Sequence, residues 1–305
     1  MEIAFEFKKE RKLGEFVQDF INLMKLVLPH FFQTLVKLAI VPLCLMLVLF
    51  YYLSTEIIYF TADTASNFYE FFSVLSVVAL FLVVVVLFFY GFAIEYFILL
   101  KTRNGTDFNA ADVWMVFRGN FKKYIKFILI FLLFAVLMVI PVALFSFVLL
   151  IIPIIGSFAL GIFYAALGVW VFCAFLFYRE GYFDILDTFS KTFGLLKKKI
   201  AEYGVASYIV NFIFQVLLGM LILMPSILLG IVAYNFVEFD IHFFDSFIGR
   251  LIASFGGILI TLLFMLYYMF SVLVHGIIYE SAKELHFGES MYDKIERLGE
   301  GDHAH

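Results

Sequence analysis

Thirty consecutive residues, Phe71 to Leu100, contain one charged side chain, Glu95. About 20 helical residues cross the hydrocarbon core of a bilayer, and a backbone in that core must bond its polar groups internally. The run is therefore a membrane helix, with enough length left over to tilt or to project into water. Similar runs occur at Phe31–Leu53, Tyr124–Ile152, from the turn at Pro153 and Gly156 to Tyr178, at Tyr208–Val232 and at Leu251–Tyr279. With 64% of residues hydrophobic and only 15% charged, against roughly half and a quarter in soluble domains, the chain reads as all-α with six transmembrane helices.

Charge sets the expected orientation. Every lysine and arginine except Lys37, Arg250 and Lys126, at the start of span three, lies before span one, between spans two and three, between spans four and five, or after span six. The remaining connections carry acids alone, such as Glu56, Asp63 and Glu70 in the first and Glu238, Asp240 and Asp245 in the last. By the positive-inside rule both termini are cytoplasmic. Residues Met1 to Leu13 mix acids and bases and are expected to be solvated, with no cleaved signal peptide.

Each odd-numbered span follows an amphipathic stretch. Phe16, Phe20, Met24 and Val27 recur at helical spacing, as do Trp114, Phe117 and Phe121, and then Phe183, Leu186, Phe189, Phe193, Leu196 and Ile200. Such helices lie in the membrane interface, and Pro29 is expected to end the first. Pro42, Pro141 and Pro225 sit in the odd spans in similar contexts and are expected to bend them. The spans thus group as three proline-bearing hairpins, each introduced by a cytoplasmic interfacial helix. The repeat-like units are 14–100, 106–178 and 182–280, within one membrane domain of residues 1–300. Residues 281–305 form a cytoplasmic tail with a short helix signal at Ser290–Leu298. Gly161, Ala165 and Gly168 are spaced for close helix approach.

Ionisable groups inside a membrane are functional candidates. Glu95 and His275 either reach water and pair locally, or meet in the bundle as a proton- or substrate-binding pair. Asn211 and Gln215 share one face of span five and suit hydrogen bonds between helices. Lys122, Lys123, Lys197, Lys198 and Lys199, beside apolar faces, suit anionic lipid headgroups.

Several function classes are excluded. No zinc-protease, phosphate-loop or nucleophile-elbow motif occurs, so no catalytic residue, cofactor site or metal site is assigned. A net charge of −4 argues against nucleic acid. The two cysteines, Cys44 and Cys173, fall in apolar runs without ligand spacing.

Arg179-Glu180-Gly181, followed by Ser190, Phe193 and Leu195-Leu196-Lys197-Lys198, resembles the pattern before the fifth span in a multi-pass bacterial family. That family includes the membrane domain of some glycerophosphodiester phosphodiesterases. Phe7 to Glu15 and Ile295 to Gly299 resemble uncharacterised Bacteroidota relatives. The phosphodiesterase domain itself has no counterpart here. The resemblance implies neighbours that include other multi-pass proteins and a MoxR-type ATPase. Together these readings point to a non-enzymatic scaffold or accessory subunit, with membrane lipids and other membrane subunits as partners. The alternative is a binder or transporter of lipid or another hydrophobic substrate, using a cavity lined by the odd-numbered spans.

Overall fold

The computed structural model describes residues 3–60, 68–236 and 246–288. The expected tail helix at Ser290–Leu298, and Asp63, Asp240 and Asp245, lie outside the described residues. Seven helices follow one another: α1 (Leu13–Phe60), α2 (Phe68–Arg103), α3 (Ala110–Leu150), α4 (Ile155–Glu180), α5 (Thr188–Leu196), α6 (Ile200–Phe236) and α7 (Phe247–Phe287). All but α5 are long and apolar enough to cross a membrane, and no β-strand occurs among the described residues. The protein is a multi-pass, all-helical membrane protein.

Two sequence expectations fail near the N-terminus. The helix does not break at Pro29, so Gly14–Leu28 is the first part of α1 rather than a separate interfacial helix. A mid-helix proline removes one backbone hydrogen bond. Here the buried stripe Phe16, Phe20, Leu23, Val27 and Phe31 runs past Pro29 unbroken, and its packing outweighs the local preference. Nor are residues 3–12 solvated, because Ile3, Phe7 and Arg11 are buried while Glu6, Glu10 and Lys12 stay exposed. Every fourth residue is hidden inside an irregular segment whose average composition looks polar.

The second amphipathic stretch is likewise continuous with its span, as the first part of α3. Its start is fixed by a capping box, in which the Asn109 side chain accepts from the Asp112 backbone and the Asp112 side chain accepts from that of Asn109. The third stretch does form a helix of its own, α5, shorter than its periodicity suggested. The helices also continue through Pro42, Pro141 and Pro225. Pro141 is exposed and Pro42 half-buried.

The chain divides into two compact units. The first comprises Met1–Phe31, Ala93–Phe212 and Phe270–His305. Its core includes Phe97, Phe177, Leu176, Tyr203, Val272 and Ile277, all essentially fully buried. The α3–α4 turn is tight: Ile154 adopts a positive φ of 62°, and a side chain at Gly156 would strike the Leu149 carbonyl oxygen at 1.8 Å. Gly161 does allow close approach, since a Cβ there would meet the Tyr208 ring of α6 at 2.3 Å.

The second unit comprises Phe32–Phe92 and Ile213–Met269. Leu35, Met46, Val85, Phe89, Ile258 and Met265 form its core. Phe50 covers Gly257, and Tyr51 meets Phe247 edge-on at 6.2 Å.

Candidate functional site

The end of α4 positions two oppositely charged neighbours. Gly181, with a left-handed φ of 87°, closes that helix by donating to the carbonyls of Phe177 and Tyr178. This fixes Arg179 and Glu180 in the last turn. Arg179 reaches α2, where its Nε donates to Glu95 Oε1 at 3.0 Å and its Nη2 to Glu95 Oε2. Tyr124 of α3 donates its hydroxyl to Glu95 Oε1 at 2.9 Å, and Lys123 Nζ donates to the Arg179 carbonyl at 2.7 Å.

Glu180 reaches the other way. Its Oε1 accepts from Lys101 Nζ at 2.6 Å, and its Oε2 accepts from Tyr279 Oη at 2.7 Å and Lys283 Nζ at 3.3 Å. Lys101 also holds Glu280 Oε1 at 2.8 Å. Across both clusters three carboxylates (Glu95, Glu180, Glu280) meet three cations (Arg179, Lys101, Lys283), so the formal charges cancel. Glu95 is 0% and Glu280 1% exposed. Such burial is tolerable only for paired, hydrogen-bonded charges. The arrangement ties α2, α3, α4 and α7 to one another. Five of its six carboxylate oxygens accept from the protein's own donors, which suits a structural lock better than a group held ready for substrate.

A second fastening holds the N-terminal segment. Arg11, 1% exposed, donates to Asp19 Oδ2 at 2.8 Å, to the carbonyls of Phe7 and Lys9 at 3.0 and 3.1 Å, and to that of Glu6. Its backbone N–H donates to Ser281 Oγ of α7 at 2.9 Å. Nearby, His30 contacts the Phe108 carbonyl through Nε2 at 2.9 Å and the Tyr96 hydroxyl through Nδ1 at 3.0 Å. A carbonyl only accepts, so Nε2 carries a proton, and in the neutral ring Nδ1 then accepts from Tyr96.

The sequence candidates are distributed rather than convergent. Glu95 neither reaches water nor pairs locally, because its partner Arg179 is 84 residues away. His275 does not meet it; its Nε2 bonds Ser207 Oγ at 2.8 Å. Asn211 bonds the same Ser207 at 3.2 Å within α6, so it does not bridge helices through that bond. Gln215 does bridge α6 and α7, donating to Tyr267 Oη at 3.1 Å within the second unit. Lys122, Lys197 and Lys198 are exposed, whereas Lys199 pairs with Glu10 at 2.6 Å. No group of three metal-ligating side chains occurs among the described residues. Sequence reasoning missed Arg11, Lys101, Glu180, Glu280 and Lys283 as site residues. Arg11, Lys101 and Lys283 fall among the sorted positive charges, Glu280 carries no local signal, and only the Arg179-Glu180-Gly181 motif hinted at more.

One apolar groove opens in the first unit, with a volume of about 930 Å³. Leu133, Phe134 and Leu137 of α3, Ala166 and Trp170 of α4, and Phe193 of α5 form much of its wall. The Trp170 indole N–H donates to the Phe189 carbonyl at 3.0 Å, which pins α5 onto α4. Phe189 also stacks on Phe134 at 5.0 Å. The groove borders α3 on the Lys126 side of Pro141, and α6 contributes only Ile200.

Compared with protein-family models, curated proteins and solved structures, the chain matches none.

Proposed function

We propose that this protein is a non-enzymatic accessory subunit of the bacterial inner membrane that scaffolds a membrane assembly. Both termini are placed in the cytoplasm, on the grounds of the lysine and arginine distribution. The resemblance to a multi-pass family whose members neighbour other membrane proteins agrees with this reading.

The observation that carries it is the turn between α3 and α4. Ile151, Ile152, Ile154 and Ile155 are 66%, 53%, 75% and 71% exposed, with no charged or polar residue among them. From Phe127 to Leu150 the apolar part of α3 is 24 residues, or about 36 Å. Even at the roughly 20° tilt common for membrane helices it outspans a hydrocarbon core of about 30 Å. The isoleucines therefore stand at the far boundary, where non-helical backbone and apolar side chains gain from a protein cover. The neutral ion clusters give the subunit a rigid frame from which to present this tip. An uncharged, aliphatic tip suits another integral membrane chain rather than a soluble one.

A photo-crosslinking residue placed at Ile152 in the native membrane tests the proposal. A discrete adduct with a second integral membrane protein, lost when the crosslinker is moved to the exposed Leu129, is the expected result. Adducts with lipid alone at both positions would refute it.

A further inference from the structure

The groove between α3, α4 and α5 differs in chemistry from the isoleucine turn, and its use does not depend on the scaffold reading. Its walls offer no charged side chain; the one indole N–H among them is already spent on the Phe189 carbonyl, which leaves the Ser190 hydroxyl as the single polar side-chain group. A polar molecule would find little there to replace its water. A hydrocarbon chain would lose nothing. Along α3 the lining runs from Ile130 to Met138, about 12 Å, close to the roughly 15 Å depth of one leaflet.

The charges decide which hydrocarbon. Lys126 lies one helical turn before Ile130 on the α3 stripe that lines the groove, and Lys197 lies one turn beyond Phe193 on the α5 stripe. Both lysines are exposed. Lys126 stands at the Ile130 end of the trough, where Phe127 meets Phe175 of α4 at 5.1 Å and Phe189 of α5 at 5.3 Å; the next turn of α5, towards Lys197, meets Trp170 instead, through Phe193 at 6.0 Å. An apolar trough about one leaflet deep thus ends beside a cation. We infer that the groove holds one acyl chain of an anionic glycerophospholipid of the surrounding membrane, with its phosphate at Lys126.

The chain's two tryptophans make this measurable. In a Trp114→Phe background Trp170 is the sole indole and is excited selectively over the tyrosines at long wavelength, and the full-length protein can be reconstituted with chain-brominated lipids, which quench an indole on contact. Brominated phosphatidylglycerol, diluted in unlabelled phosphatidylcholine, is expected to quench Trp170 well beyond the same fraction of brominated phosphatidylcholine. Lys126→Gln should cut this preference about fivefold. Ser190→Phe, which fills the groove from α5, should reduce quenching by both lipids while the elution volume in detergent stays unchanged. Equal quenching by the two lipids in the parent protein would overturn the anionic assignment. Undiminished quenching in a folded Ser190→Phe variant would overturn the groove as the site. Quenching by brominated fatty acid but by neither phospholipid would overturn the phospholipid as occupant.

Discussion

Arg179 grips Glu95 through two guanidinium nitrogens across 84 residues of sequence, although Glu95 has no exposed surface and is the one charged residue between Phe71 and Leu100. The next residue, Glu180, turns towards Lys101 and Lys283 instead. Two adjacent residues at one helix end thus anchor two ion clusters.

Removing one partner of the inner cluster should strand a buried charge. Arg179→Ala or Glu95→Ala is expected to cost about 3–5 kcal/mol. The double variant Glu95→Leu/Arg179→Leu should recover most of that loss. Thermal unfolding in detergent, arranged as a double-mutant cycle, measures the coupling; strictly additive losses would show that the pair is not a unit.

Arg11 gathers the carbonyls of Glu6, Phe7 and Lys9 around one guanidinium. Arg11→Ala should release residues 3–12 while leaving the helices intact. Hydrogen–deuterium exchange is expected to rise across that segment and to stay level in α4. Unchanged protection would mean that Ile3 and Phe7 hold the segment without it.

Helix approach in the first unit depends on missing side chains. A Cβ at Gly204 would lie 2.9 Å from Ala166 Cβ and 3.1 Å from the Ile162 carbonyl, whereas one at Gly219 would meet nothing. Gly204→Val should destabilise by roughly 1–3 kcal/mol through overpacking. Gly219→Ala should be neutral or slightly stabilising, because alanine loses less backbone entropy than glycine when a helix forms. Equal effects in thermal unfolding would argue against the close α4–α6 contact.

Orientation can be read by labelling. In a variant with Cys44 and Cys173 replaced by alanine, a single cysteine at Lys122 or Lys198 should react with an impermeant maleimide only after the cytoplasm is opened. One at Asp63 or Asp240 should react in intact spheroplasts. The reverse pattern would invert the topology.

Span number was legible because it rests on a local quantity, the length of uncharged sequence against the thickness of a bilayer. The α3–α4 turn was legible for the same reason, through Pro153 and Gly156. The break expected at Pro29 was not borne out, because a stripe from Phe16 to Phe31 packs on both sides of it.

What the sequence determined alone was the class of molecule: six apolar helices joined by segments whose lysines and arginines are sharply sorted. Solvent sets this, since each run either suits hydrocarbon or does not. Which charge meets which was decided only by tertiary structure. Glu95 and Arg179, Lys101 and Glu280, and Arg11 and Ser281 are brought together by helix packing over 84, 179 and 270 residues, and no periodicity in the chain records such distances.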